Sequence, residues 1–132
     1  MAKIEARNAG ADEAIMMNNE GYVAECTGDN IFIIKGKMIY TPPVTAGVLP
    51  GITRATVMEL AGKAGYTVLE QMFTRAELYL ADEMFLTGTA AEVVPVVSLD
   101  ARLIADGKPG KITIELMEIF KNYVMAHGTP IE

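Results

Sequence analysis

Residues 24–32 read Ala24-Glu25-Cys26-Thr27-Gly28-Asp29-Asn30-Ile31-Phe32. An apolar run, Tyr22-Val23-Ala24, ends on a carboxylate, turns through Thr-Gly-Asp, and resumes as Ile31-Phe32-Ile33-Ile34. β-branched and aromatic residues favour strands, and Gly and Asp favour the corner between them. Tyr22 to Cys26 and Asn30 to Lys35 therefore read as strands. Working outward, Asn18-Asn19-Glu20-Gly21 joins the first of these to Glu13 to Met17 as a hairpin. Gly36 joins the second to Lys37 to Thr41 as another.

After a proline-containing link from Thr41-Pro42-Pro43 to Leu49-Pro50, Gly51-Ile52-Thr53-Arg54 opens a helix. Its core stripe is Val57, Leu60, Ala61 and Ala64, spaced by three and four residues, and Gly65 stops it. Strands follow at Tyr66 to Glu70, Glu83 to Thr87 and Val93 to Val97, with a short helix at Arg75 to Leu80. A last helix follows Pro109-Gly110, with Ile112, Leu116, Ile119, Phe120, Tyr123 and Val124 on one face and Gly128 as its stop. Ala2 to Ala9 has helical composition and ends at Gly10. Hairpins followed by alternating strands and helices predict a mixed α/β domain with a partly antiparallel sheet.

A chain of 132 residues is enough for one domain, residues 1–132, with a sizeable core. A formal charge of −6 argues against a nucleic-acid partner, which calls for a cationic face. Cys26 is the single cysteine, which rules out an internal disulfide and suits a reduced cytoplasmic setting. The start, Met1-Ala2-Lys3-Ile4-Glu5-Ala6-Arg7, carries no signal-peptide apolar core, and no run is long enough for a membrane span. The nine methionines read as adaptable core filler, and no metal site is assigned.

Three turns carry candidate chemistry. Glu25 interrupts apolar neighbours, so its charge must reach water or a cationic partner. Gly51-Ile52-Thr53 precedes a helix, whose free N–H groups and dipole attract an anion such as phosphate. Gly88-Thr89-Ala90-Ala91 is a small-residue corner that lets backbone N–H groups approach a ligand. Each alone also reads as ordinary structure: a strand-end carboxylate, a helix cap, a turn.

Together they follow one pattern. Glu25-x-Thr27-x-x-Asn30-Ile31-Phe32, Ile39-x-Thr41 and Leu49-x-Gly51-Ile52-x-Arg54 resemble the signature of the class IV pyridoxal-phosphate aminotransferases. AKIEARNAGADEAI, LTGTAAEVVPV and DGKPG extend the resemblance over nearly the whole chain, to the C-terminal domain of the branched-chain amino-acid aminotransferases. The implied fold is the α/β pseudo-barrel of the D-amino-acid-aminotransferase-like class, fold type IV, a mixed sheet with helices.

The resemblance also implies roles. Glu25 would pair with the ring nitrogen of pyridoxal 5'-phosphate and favour its protonated form. Gly28 and Asp29 would pack backbone against one ring face and Leu49 would cover the other. Gly51 would open the phosphate-binding turn, Ile52 and Thr53 would hold the phosphate, and Thr89 would donate to it. Gly88 would leave room for the substrate carboxylate, received by the amides of Thr89 and Ala90. The substrates would be small amino acids and 2-oxo acids, and a homo-oligomer is expected, with no membrane partner.

The family's Schiff-base lysine lies upstream of Ala2 in this reading, as does the N-terminal domain. Lys3 sits in the presumed opening helix, away from the family's lysine motif, and Lys35, Lys37, Lys63, Lys108, Lys111 and Lys121 read as solvated surface residues. His127 reads as a surface residue near a helix C-terminus. The chain is therefore expected to be the C-terminal half of an aminotransferase, inactive alone and binding the cofactor weakly or not at all. A non-catalytic ligand-binding or assembly module of the same fold is the alternative class. D-amino-acid aminotransferase and aminodeoxychorismate lyase share the cofactor signature.

Overall fold

The computed structural model describes residues 3–6, 12–17, 22–26, 30–43, 52–88, 93–99 and 102–127. The first half folds as the paired apolar runs dictate. Strands β2 (Asp12–Met17) and β3 (Val23–Cys26) are antiparallel, as are β4 (Asn30–Lys35) and β5 (Met38–Thr41). Gly36, between β4 and β5, adopts φ 63°, a left-handed conformation that costs glycine little.

Helix α1 (Ile52–Lys63) leads into β6 (Thr67–Glu70), parallel to β5. Val57 and Ala61 are buried as the stripe predicts, but Ala64 lies beyond the helix and is exposed. Helix α2 (Arg75–Tyr79) opens on a capping box: Glu77 accepts from the Thr74 backbone N–H at 3.0 Å. Strands β7 (Glu83–Thr87) and β8 (Val93–Leu99) are antiparallel, the short β9 (Arg102–Leu103) pairs with β8, and α3 (Lys111–His127) closes the chain.

The opening segment corrects the sequence reading. Lys3–Ala6 is a strand, β1, hydrogen-bonded between β2 and β8, and not part of a helix. Its composition suits a helix, but a segment this short has little helical stability of its own, and two waiting strand edges outweigh propensity. The alternation Lys3-Ile4-Glu5-Ala6 was the strand signal. Lys3 therefore belongs to a strand.

The sheet order is β3-β2-β1-β8-β7-β4-β5-β6, with β5 and β6 the one parallel neighbour pair among the described strands. The sheet curls until its two ends meet. The Val23 N–H, at the start of β3, donates to the Phe73 carbonyl just past β6 at 2.9 Å, and Tyr22 bridges Thr74. That tie gives the α/β pseudo-barrel its closure.

β4 is buried on both faces, and its side chains alternate between two cores. Ile31 and Ile33 pack on the concave side with Val23, Phe73, Met84, Leu86, Val96 and Leu78 of α2. Phe32 and Ile34 pack on the other side with Phe85, Val57 and Ala61 of α1, and Leu116 and Phe120 of α3. Full burial of each such side chain contributes about 1.5–3 kcal/mol, which makes the β4–β7 pair the centre of the fold.

Candidate functional site

Chain direction and register bring six element ends to one end of the sheet. β4 begins at Asn30, whose partner is Thr87, the last residue of β7, and Thr87 in turn faces Val93, the first residue of β8. β3 ends at Cys26, with three residues between it and the start of β4. β5 ends at Thr41, whose hydroxyl donates to the Ile31 carbonyl at 2.8 Å. The first turn of α1 is fastened there too, because the Arg54 guanidinium donates to the Pro42 carbonyl at 3.1 Å and to Glu70 at 2.9 Å.

The polar side chains buried in the described structure concentrate at this end. Asn30, Thr41, Thr53, Arg54 and Thr87 are all under one-tenth exposed, and Thr113 is the only other buried polar residue among those described. Buried polar groups cost free energy unless partnered, so a cluster of them among apolar strands marks a place kept polar for a reason. Two of its atoms, the Thr87 hydroxyl and the Arg54 Nε, are buried without a hydrogen-bond partner among the described residues.

The start of α1 suits an anion. Twelve residues of helix align their dipoles behind it, its first turn holds no acidic side chain, and Thr53 is buried there while Ile52 is half exposed. This donor set, backbone N–H groups beside a hydroxyl, fits a phosphate ester such as that of pyridoxal phosphate. A cavity of about 190 Å³ lined by Lys35, Tyr40, Gln71 and Glu77 lies toward the far end of β4 and includes none of these residues.

The residues singled out in the sequence divide as follows. Glu25 lies in β3 opposite Met16, one residue from the strand end. Ile52 and Thr53 open α1, and Gly88 directly follows β7. These share one end of the sheet. Gly28, Asp29, Leu49, Gly51, Thr89 and Ala90 lie outside the described residues, as does the side chain of Glu25. Lys35, Lys37, Lys63, Lys108, Lys111 and Lys121 are all exposed. Among the described residues no group of acidic, histidine or cysteine side chains could hold a metal, and no helix is long and apolar enough to cross a membrane.

Sequence reasoning gave no role to Thr87 and named Arg54 only within a pattern. The available signals were a threonine ending an apolar strand before Gly88, and a cation in the first turn of a helix, where the dipole disfavours it.

Residues 1–99 match the family model described as amino-transferase class IV. The chain is 51% identical over 124 residues to the branched-chain-amino-acid aminotransferase of Pseudomonas aeruginosa, covering 94% of this chain and 40% of that protein. It is 43% identical over 116 residues to that of Escherichia coli, covering 88% and 38%. The crystal structure of the branched-chain aminotransferase from the thermophilic archaeon Thermoproteus uzoniensis with norvaline superposes with a TM-score of 0.82 at 43% identity, covering 92% of this chain and 40% of that one. Another branched-chain amino acid aminotransferase, crystallised in complex with N-(5'-phosphopyridoxyl)-L-glutamate, superposes with a TM-score of 0.83 at 44% identity, covering 90% and 40%. The chain thus spans about 40% of the length of these relatives.

Proposed function

The chain belongs to the class IV aminotransferases, and on that premise we propose that it forms the cofactor-holding part of a branched-chain amino-acid aminotransferase. The parent enzyme would move the amino group of leucine, isoleucine or valine to 2-oxoglutarate. The observation that carries this reading is the gathering of the β3 end, the anion-ready start of α1 and the β7 end at one polar end of the sheet.

Pyridoxal phosphate, when bound, supplies a ring that draws electron density from the substrate Cα. The chain's residues would bind and orient. Ile52 and Thr53 hold the phosphate at the helix start with Thr89, and Gly51 lets the backbone approach. Glu25 holds a proton at the ring nitrogen, because an anion there favours the charged ring. Gly28 and Asp29 would pack against one face of the ring and Leu49 would cover the other, which would exclude water. Gly88 leaves space for the substrate carboxylate, which the Thr89 and Ala90 amides receive. The lysine that moves the Cα proton would come from outside this chain: Lys35, Lys37, Lys63, Lys108, Lys111 and Lys121 are exposed, and Lys3 stands away from the family's lysine motif.

In the full-length protein that carries this chain, Glu25→Gln should lower turnover of leucine far more than it lowers cofactor occupancy. Equal turnover in mutant and parent would refute the role of Glu25. Borohydride treatment of the 132-residue chain with pyridoxal phosphate, followed by peptide mass mapping, should label no single lysine stoichiometrically. Such a label, together with leucine turnover, would place the missing amine within the chain.

A further inference from the structure

Arg54 is placed against two rules. A cation in the first turn of a helix opposes the dipole, and a buried charge is costly unless well paired. The Arg54 side chain is 7% exposed, whereas its partner Glu70 is 47% exposed, so the cation lies in protein and much of the anion lies in water. One guanidinium nitrogen serves both the Pro42 carbonyl and Glu70, and Nε has no partner among the described residues. The positive charge is therefore incompletely compensated from within the described chain, directly beside Thr53 at the start of α1. The hydrogen bond to Pro42 also fixes that first turn relative to the exit of β5, where Thr41 is held by Ile31.

We propose that Arg54 is a positioning residue for phosphate at the start of α1. Without touching the ligand, it braces the first turn against Pro42 and Glu70, and its under-compensated charge raises the affinity of the neighbouring N–H groups for a phosphate dianion. The inference rests on the cofactor reading above and adds a residue to which that reading gives no role. It also accounts for a buried arginine standing where an apolar residue would be cheaper to bury: a buried ion pair is often replaceable by apolar side chains with no loss of stability.

The test compares pyridoxal phosphate with pyridoxal, which lacks the phosphate, binding to the full-length apoprotein that carries this chain, followed by absorbance. Arg54→Met keeps the apolar stem and should leave thermal stability near that of the parent. It should reduce the preference for pyridoxal phosphate over pyridoxal at least about tenfold, or about 1.4 kcal/mol, with pyridoxal affinity little changed. Arg54→Lys restores the charge and should recover part of the preference. A merely structural arginine would shift stability, or both ligands alike. Unchanged preference in a folded Arg54→Met protein would overturn the proposal. If Arg54→Met does not fold, Arg54→Lys decides: a preference reduced about threefold or more supports the proposal, and an unchanged one overturns it. A parent protein that binds pyridoxal as tightly as pyridoxal phosphate would instead sink the phosphate reading of α1 itself.

Discussion

Glu83, the first residue of β7, accepts a hydrogen bond at 2.7 Å from the backbone N–H of Thr113 in the first turn of α3. Its other carboxylate oxygen accepts from Ile112 at 3.2 Å. Two of the N–H groups that a helix start leaves unpaired are thus satisfied from a strand about thirty residues earlier, by an anion where the dipole favours one. Glu83→Ala should therefore destabilise the protein by about 1–2 kcal/mol, read from the urea midpoint.

Gly110 makes that approach possible. A Cβ built there would overlap the Glu83 side chain, so Gly110→Ala must push the carboxylate off the helix start. The expected loss is similar to that of Glu83→Ala, and the double mutant should be little worse than either single one. Fully additive losses in a mutant cycle would disprove the link.

Phe32 and Phe85 are directly opposite across β4 and β7, with stacked rings 4.7 Å apart at 7°. Both are fully buried. Phe85→Ala should cost about 3–5 kcal/mol, and a Phe32→Leu, Phe85→Leu cycle should show a coupling of about 0.5–1.5 kcal/mol. Thermal unfolding with matched heat-capacity corrections would measure both.

At the α1 start, Thr53→Val keeps the shape of a buried side chain and removes its hydroxyl. If the hydroxyl donates to a phosphate, the affinity of the full-length protein for pyridoxal phosphate should fall about tenfold, with pyridoxal unaffected. Equal loss for both ligands would point to a packing defect instead.

The Tyr66 hydroxyl donates to Glu115. That hydrogen bond, then desolvation, then the charges of Glu115 and Glu83 raise its pKa above the ordinary value. Because the folded pKa is raised, the stabilisation is fully present below the unfolded pKa near 10 and is lost as pH rises through the folded value. Melting temperature should therefore fall above about pH 10, and Tyr66→Phe should flatten that part of the profile. An identical alkaline slope in mutant and parent would exclude this linkage.

Much of this protein was legible locally. The β2–β3 and β4–β5 hairpins, the starts of α1 and α3, and the bounds of β7 follow from apolar period and from turn residues such as Gly36 and Gly65, because those signals act within a few residues. The sequence reading also expected Glu25, Thr53 and Thr89 to meet at one pocket; β3, which carries Glu25, and the start of α1, which carries Thr53, lie at one end of the sheet, and Thr89 lies outside the described residues. Partners distant in sequence were decided only by the tertiary structure. β1 became a strand because β2 and β8 offered it hydrogen bonds that its own residues could not supply to one another. The Val23–Phe73 tie, the Glu83 cap on α3 and the burial of Arg54 beside Pro42 and Glu70 likewise join residues whose proximity no local pattern encodes. A side chain's hydrogen-bond partner and its distance from water depend on how whole elements pack, and that is settled only when the sheet closes.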